Sequence, residues 1–232
     1  LKISTKNRKI GYTYGSVSGV YSFRKEKTIQ YESLLEKDFI HLMNFNDRVL
    51  DITEQPFTIE YEVEKGKTNT YTPDFLVEFK QPSYLNPQKS IKPLLVEVKP
   101  SQKILKNWIK LKPKFKQAIK LCKEKEYQFK IFNENRIRSQ ELKNIVFLDR
   151  YKNYDTNHDM VEQIIEHLRL IGNTTIEYLI VHLFTTDLQK GYAIAHIWFL
   201  VNSKIITCDL TKKLTNSTVI WLNENKDIGI EI

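Results

Sequence analysis

The sequence predicts an α/β fold, a mixed sheet flanked by helices, followed by a smaller winged-helix-like domain. Three observations predict it. Two short apolar runs, Phe75-Leu76-Val77 and Leu94-Leu95-Val96, are separated by turn-rich residues from Gln81 to Pro93 and read as a buried strand pair. Helically spaced apolar residues precede that pair, and a lysine-rich helix follows it. Beyond a polar stretch from Tyr151 to Asp159, three helical patterns lead into two strand-like runs.

Residues 1–30 read as a basic, partly extended arm carrying Lys6, Arg8, Lys9, Arg24, Lys25 and Lys27. From Tyr31 to Asn44, the spacing of Leu34, Leu35, Phe39, Ile40, Leu42 and Met43 predicts an amphipathic helix. Asn46-Asp47 turns the chain into a strand pattern over 48–63, in which Gln55-Pro56 marks an extended bend. After the strand pair and the lysine helix, Phe129–Phe132 and Ile145–Leu148 read as further strands or edge segments. The first domain is thereby expected over 31–152, and the second over 160–232. In the second, Met160–Leu170, Thr174–Phe184 and Leu188–Val201 carry helical spacing, and Asn173–Glu177 resembles a capping box with its glutamate displaced. Lys204–Leu210 and Ser217–Leu222 read as a hairpin, which completes the winged-helix pattern.

The chemistry-bearing residues flank the strand pair. Thr72-Pro73-Asp74 leads into its first run, and its second passes into Glu97-Val98-Lys99. Period-two geometry puts Glu97 and Lys99 on one face and Val98 on the other. With Asp74 at the start of the neighbouring strand, two carboxylates and an ammonium converge. Such a set suits metal-dependent phosphodiester hydrolysis: carboxylates hold Mg²⁺ against the scissile phosphate, while the lysine orients water or neutralises developing charge. Glu32 and Glu36 lie four residues apart on one helix face, where a carboxylate adds a further metal ligand.

The charge distribution points to a polyanion beside these residues. The chain carries +8 overall, and residues 101–130 alone hold ten lysines against Glu124 and Glu126, an excess equal to that of the whole chain. Lys103, Lys106, Lys110, Lys112, Lys114 and Lys116 are therefore the candidate DNA contacts, directly after Lys99.

In order and spacing, Glu32–Glu36, Val49–Pro56, Pro73–Val77 and Glu97–Pro100 resemble the TnsA family of transposon-end endonucleases, within the restriction-endonuclease-like superfamily with the PD-(D/E)xK pattern. The resemblance places the family's helix glutamate on Glu36, its metal-binding aspartate on Asp74 and its catalytic lysine on Lys99. Some members have glutamine where this chain has Glu97, so the sequence here is closer to the general nuclease pattern. A second acidic position of some relatives falls near Ala118 and is not transferred, which leaves the number of metals open. Gln117, beside it, reads as an ordinary helical surface residue in preference to a phosphate contact. The resemblance implies a heteromeric transposase. In it this subunit nicks the 5′ ends of the element with Mg²⁺ or Mn²⁺ held by Glu36, Asp74, Glu97 and the Val98 carbonyl. A separate transposase subunit cuts and joins the 3′ ends under an AAA+ ATPase regulator. A stand-alone restriction or repair nuclease, and a non-catalytic DNA-binding assembly subunit, are the alternatives.

Composition narrows the class further. A chain of 232 residues with 41% hydrophobic content builds sizeable cores. No apolar run approaches the ~20 residues of a membrane helix, and Leu1–Lys9 is too polar and basic for a secretory leader. Cys122 and Cys208 lie far apart in sequence and form no zinc or disulfide framework, which suits a reducing cytoplasm, and the family resemblance implies a bacterial one. The third helix of the second domain offers Gln189, Lys190, Tyr192, His196 and Trp198, a poor major-groove set, so protein contact is expected there, or weak backbone contact through Lys212 and Lys213. His158, His167, His182 and His196 lack paired metal spacing and read as structural.

Overall fold

The computed structural model describes residues 2–4, 17–62, 66–81 and 90–224. The chain divides into two compact units, 1–138 and 139–232. The division falls ahead of the polar stretch at 151–159 where the sequence places it.

In the first unit, β1 (Lys2–Ser4) precedes a hairpin of β2 (Gly19–Phe23) and β3 (Lys27–Tyr31). Over its described residues, the segment expected as an arm is therefore folded, in β1 and this hairpin. Phe23 and Ile29 are buried. Arg24 and Lys25 turn the hairpin with positive φ of 50° and 61°. Arg24 is no free cation: its guanidinium donates to the Asn46 and Val49 carbonyls, and its N–H to Asn44 Oδ1 at 2.9 Å. Lys27 pairs with Asp51 at 2.5 Å. Lys6, Arg8 and Lys9 lie outside the described residues.

Helix α1 (Leu34–Phe45) then leads to β4 (Val49–Glu54), β5 (Thr58–Glu62), β6 (Thr68–Tyr71), β7 (Phe75–Phe79) and β8 (Leu94–Val98). After β8 come α2 (Ser101–Lys106), α3 (Trp108–Glu124), β9 (Gln128–Phe132) and α4 (Glu134–Ile137). The central sheet runs β4-β7-β8-β9. Its first three strands are antiparallel, and β9 is parallel to β8. That parallel pair requires a crossover, which α2 and α3 supply. A smaller antiparallel sheet runs β1-β5-β6. The predicted strand pair is present. Residues 82–89 of its connection are not described, but Gln81 spans the ends by exchanging hydrogen bonds with the Ile91 backbone at 3.0 Å.

Every residue of β8 is buried, because layers cover both faces of the sheet. On one face, Leu95 joins Ile59, Tyr61, Tyr71 and the stripe Leu111, Phe115, Ala118 and Leu121 of α3. Ala118 is thus a core residue. On the α1 side, fully buried Phe39 stacks on Phe75 at 5.4 Å and meets Phe132 edge-on at 5.0 Å.

The second unit contains α5 (Gln140–Leu148), a 3₁₀ turn (Asp149–Tyr151), α6 (His158–Ile171), β10 (Asn173–Thr175), α7 (Ile176–Leu183), α8 (Asp187–Asn202), β11 (Ile206–Cys208) and β12 (Val219–Leu222). Ile145–Leu148, expected as a strand, is the last turn of α5. A four-residue apolar run does not fix its own period, and Leu142, Ile145 and Leu148 bury one helical face at intervals of three. The expected three helices and hairpin follow, with β10 added to give an antiparallel sheet in the order β10-β12-β11. Thr175 caps α7 through the Tyr178 N–H, so Glu177 is not the reciprocal partner. The reciprocal capping box is Thr186 with Gln189 on α8. His196 and Trp198, counted among residues α8 offers to a partner, are buried. His196 Nε2 accepts from the Asn157 N–H at 2.8 Å and Nδ1 bonds the Tyr192 carbonyl at 2.7 Å, a structural role.

Truncating Phe39 removes the ring joining α1 to β7 and β9. Phe39→Ala is expected to lower stability by about 3–5 kcal/mol in urea unfolding followed by circular dichroism.

Candidate active site

Asp74 lies between β6 and β7, after Thr72-Pro73. Its N–H donates to the Val96 carbonyl at 3.0 Å, and its Oδ2 accepts from the Val98 N–H at 2.6 Å. The carboxylate is therefore hydrogen-bonded to the end of β8 between Glu97 and Lys99. Its own carbonyl accepts from Gln55 N–H at 2.8 Å, which ties the end of β4 to the same point.

Glu97 is only 3% exposed. One of its oxygens accepts from the Tyr71 hydroxyl at 2.7 Å, and the other is paired with the Lys99 ammonium. The two side chains share a face, as the strand period requires. Lys99 itself leaves the sheet by donating its N–H to the Phe132 carbonyl at 2.9 Å.

Glu36 belongs to the first turn of α1. The Ser33 hydroxyl accepts its N–H at 3.2 Å and donates to Oε1 at 2.8 Å, while Oε2 accepts from the Glu32 N–H at 2.8 Å. This reciprocal arrangement satisfies helix-end donors and places an anion at the positive end of the helix. Glu32 accepts from Gln55 Nε2 at 3.1 Å. A narrow cleft beside the site is lined by Glu32, Glu36, Glu54, Gln55 and Asp74.

The electrostatics bind these groups into one site. Burial, then the charges of Glu97 and Glu36, push the Asp74 carboxyl well above its ordinary range, against the opposing pull of Lys99 and the Val98 N–H. Burial also raises Glu36. Burial works against the Lys99 ammonium, but Glu97, Asp74 and Glu36 together outweigh it and raise its pKa. Three carboxylates with one ammonium leave an excess of negative charge that a cation relieves.

Among the described residues, no three His, Cys, Asp or Glu side chains form a ready metal cage. Mg²⁺ does not need one, since it takes one or two carboxylates and completes its shell with water and substrate phosphate. The hard oxygen donors of Asp74 and Glu97, with Glu36 in electrostatic reach, fit such an ion. Cys122 and Cys208 are free and buried, and burial raises both thiols to about 11.

Tyr71 also meets the site, although no motif marks it, and so does Gln55, from the Val49–Pro56 stretch. Tyr71 buries its ring in the α3-side core and spends its hydroxyl on Glu97. Gln55 holds positive φ of 42°, and its Oε1 is buried without a hydrogen-bond partner. The α2 and α3 lysines follow directly. Lys103, Lys106, Lys110, Lys112 and Lys116 are exposed and Lys114 half-buried, opposite the apolar stripe of α3.

Two family models match consecutive parts of the chain. One, TnsA-like endonuclease N terminal, covers residues 46–134, and the other, TnsA endonuclease C terminal, covers residues 136–210. No curated protein matches the chain.

Asp74→Asn keeps an acceptor for Val98 N–H and removes the repelled charge. Metal-free, the variant is expected to be more stable than wild type near neutral pH. A raised folded-state pKa means that wild-type stability falls as pH rises from the unfolded value near 4 through the folded value, so the gap closes toward about pH 4. Thermal unfolding across that range, with and without Mg²⁺, checks both this and the expected loss of Mg²⁺-induced stabilisation.

Proposed function

The chain belongs to the TnsA family of transposon endonucleases, and on that footing we propose that it hydrolyses DNA phosphodiesters at the 5′ ends of an element, on the non-transferred strand, with Mg²⁺ or Mn²⁺. The observation that carries this reading is the convergence of Asp74, Glu97 and Lys99 at the adjoining ends of β7 and β8.

Asp74 and Glu97 would hold the ion, with Glu36 and the Val98 carbonyl as further ligands. When bound, the ion would supply Lewis-acid stabilisation of charge on the scissile phosphate. The Lys99 ammonium, kept protonated by its carboxylate neighbours, donates to the attacking water or the phosphate oxygens. Tyr71 fixes the Glu97 carboxylate from behind, so that oxygen stays oriented. The lysines of α2 and α3, Lys103 to Lys116, hold the DNA backbone, where neutralised phosphates make binding strongly salt-dependent.

Family membership supports the partners: transposon-end DNA, a transposase subunit that cuts the 3′ ends, and an AAA+ ATPase regulator. The reading places the protein in the bacterial cytoplasm. Among the described residues no helix is long and apolar enough to cross a membrane.

With those partners and Mg²⁺ present, Asp74→Ala is expected to abolish 5′-end cuts on transposon-end DNA while assembly persists. Unchanged cutting would place the nuclease in another subunit and leave this chain a DNA-binding assembly module. Tyr71→Phe is expected to lower cutting by about 10–100-fold through Glu97, measured as initial rate against Mg²⁺ concentration.

A further inference from the structure

Between Lys99 and the packed part of α3 lies apolar surface that the hydrolytic chemistry does not use. Leu105 is 78% exposed, Ile109 88% and Trp108 46%, all within five successive residues. Lys106 and Lys110 are interleaved with them and exposed as well. Single exposed apolar residues are ordinary, but three together on a lysine-covered face are not.

The backbone presents them as a knuckle. Asn107 ends α2 and begins α3, with its side chain donating to the Lys103 carbonyl at 3.0 Å. Pro113 has no N–H for the Ile109 carbonyl, so the first turn of α3 lacks that bond. Trp108 is anchored at one side, its ring 6.3 Å from buried Phe115. The start of α2 is clamped, since Glu134 accepts the Ser101 N–H at 2.8 Å and also its hydroxyl. The six residues of α2 rise about 9 Å, and the helix begins two residues after Lys99.

We propose that Leu105, Trp108 and Ile109 form a wedge that receives unstacked bases of the DNA beside the cleavage site, with Lys103, Lys106 and Lys110 on the flanking phosphates. This rests on the nuclease reading of the adjoining site. Charge selects the occupant: the surrounding span holds ten lysines and two glutamates, and so attracts a polyanion. An apolar and aromatic cluster inside a cationic surface matches bases within a phosphate backbone, as apolar wedges and stacking platforms do elsewhere.

The test uses the full chain in EDTA, so that no cutting intervenes, with a short paired duplex and the same duplex carrying a central unpaired bubble. The bubble is expected to bind about tenfold tighter. The double variant L105S/I109S is expected to bring the ratio of affinities to about one with an unchanged melting temperature, because both side chains are solvent-exposed. Lys106→Ala with Lys110→Ala is expected to weaken binding of both probes and flatten the salt dependence. The wedge is overturned by equal wild-type affinities, by no binding of the bubble, or by a ratio that L105S/I109S leaves in place. It is also overturned if L105S/I109S binds both probes like wild type but no longer assembles with the transposase subunit, which assigns the patch to protein contact. Binding read without cutting keeps the two readings separate: a failed wedge leaves the Asp74→Ala result standing, and a failed nuclease reading appears as unchanged cutting whatever the ratio.

Discussion

The first unit depends on one hydrogen bond between a carboxylate and a strand end, Asp74 Oδ2 to the Val98 N–H at 2.6 Å. It sits where the β7–β8 ladder gives out, beyond the Phe75–Val96 pair. A slip of one residue in that register would turn Glu97 and Lys99 away from Asp74 and bury the wrong side chains on both faces. The same short segment receives Gln55 from β4 and Tyr71 from β6. Sheet register and site geometry are therefore one constraint, set where four strands end together.

That constraint explains how a charge persists in a strand buried on both faces. An isolated carboxylate there would cost several kcal/mol, and Glu97 escapes this because each oxygen has a donor, the Tyr71 hydroxyl on one and the Lys99 ammonium on the other. Asp74 is less well compensated, which is why burial and its neighbours raise its carboxyl so far. The site therefore resists holding all three carboxylates ionised at once, and packing such as the Phe39–Phe75–Phe132 cluster adds to its own hydrogen bonds in keeping them together.

Much of this was legible in the sequence. The apolar runs around Pro73-Asp74 and Glu97-Val98-Lys99 fixed a strand pair whose period put Glu97 beside Lys99, and the α3 lysines face outward as their spacing requires. Tyr71 was not legible, because its partner lies 26 residues away and only the meeting of the two sheets brings them together. Ser33-x-x-Glu36 carries a local signal, the serine and glutamate of a helix start, and the structure uses it at the head of α1. Ile145–Leu148 misled for the opposite reason: four apolar residues fit either period, and only the burial of Leu142 and Asn144 upstream decides for helix. Asn144, donating to the Leu210 and Lys212 carbonyls at 2.8 and 2.6 Å, is a core contact that no pattern announces.

The engagement of Glu36 at the start of α1 makes its availability an exchange and not a vacancy. Its two oxygens already satisfy the Ser33 hydroxyl and the Glu32 N–H, so recruiting either oxygen elsewhere surrenders part of a cap worth about 1 kcal/mol. Helix order and the proposed ligand role of Glu36 would thus draw on the same two atoms, and by reciprocity a looser helix start would be a more generous donor. For Glu36 to serve as the proposed further ligand, the first turn of α1 would act as a counterweight, holding that carboxylate until a stronger attraction in the cleft drew it away.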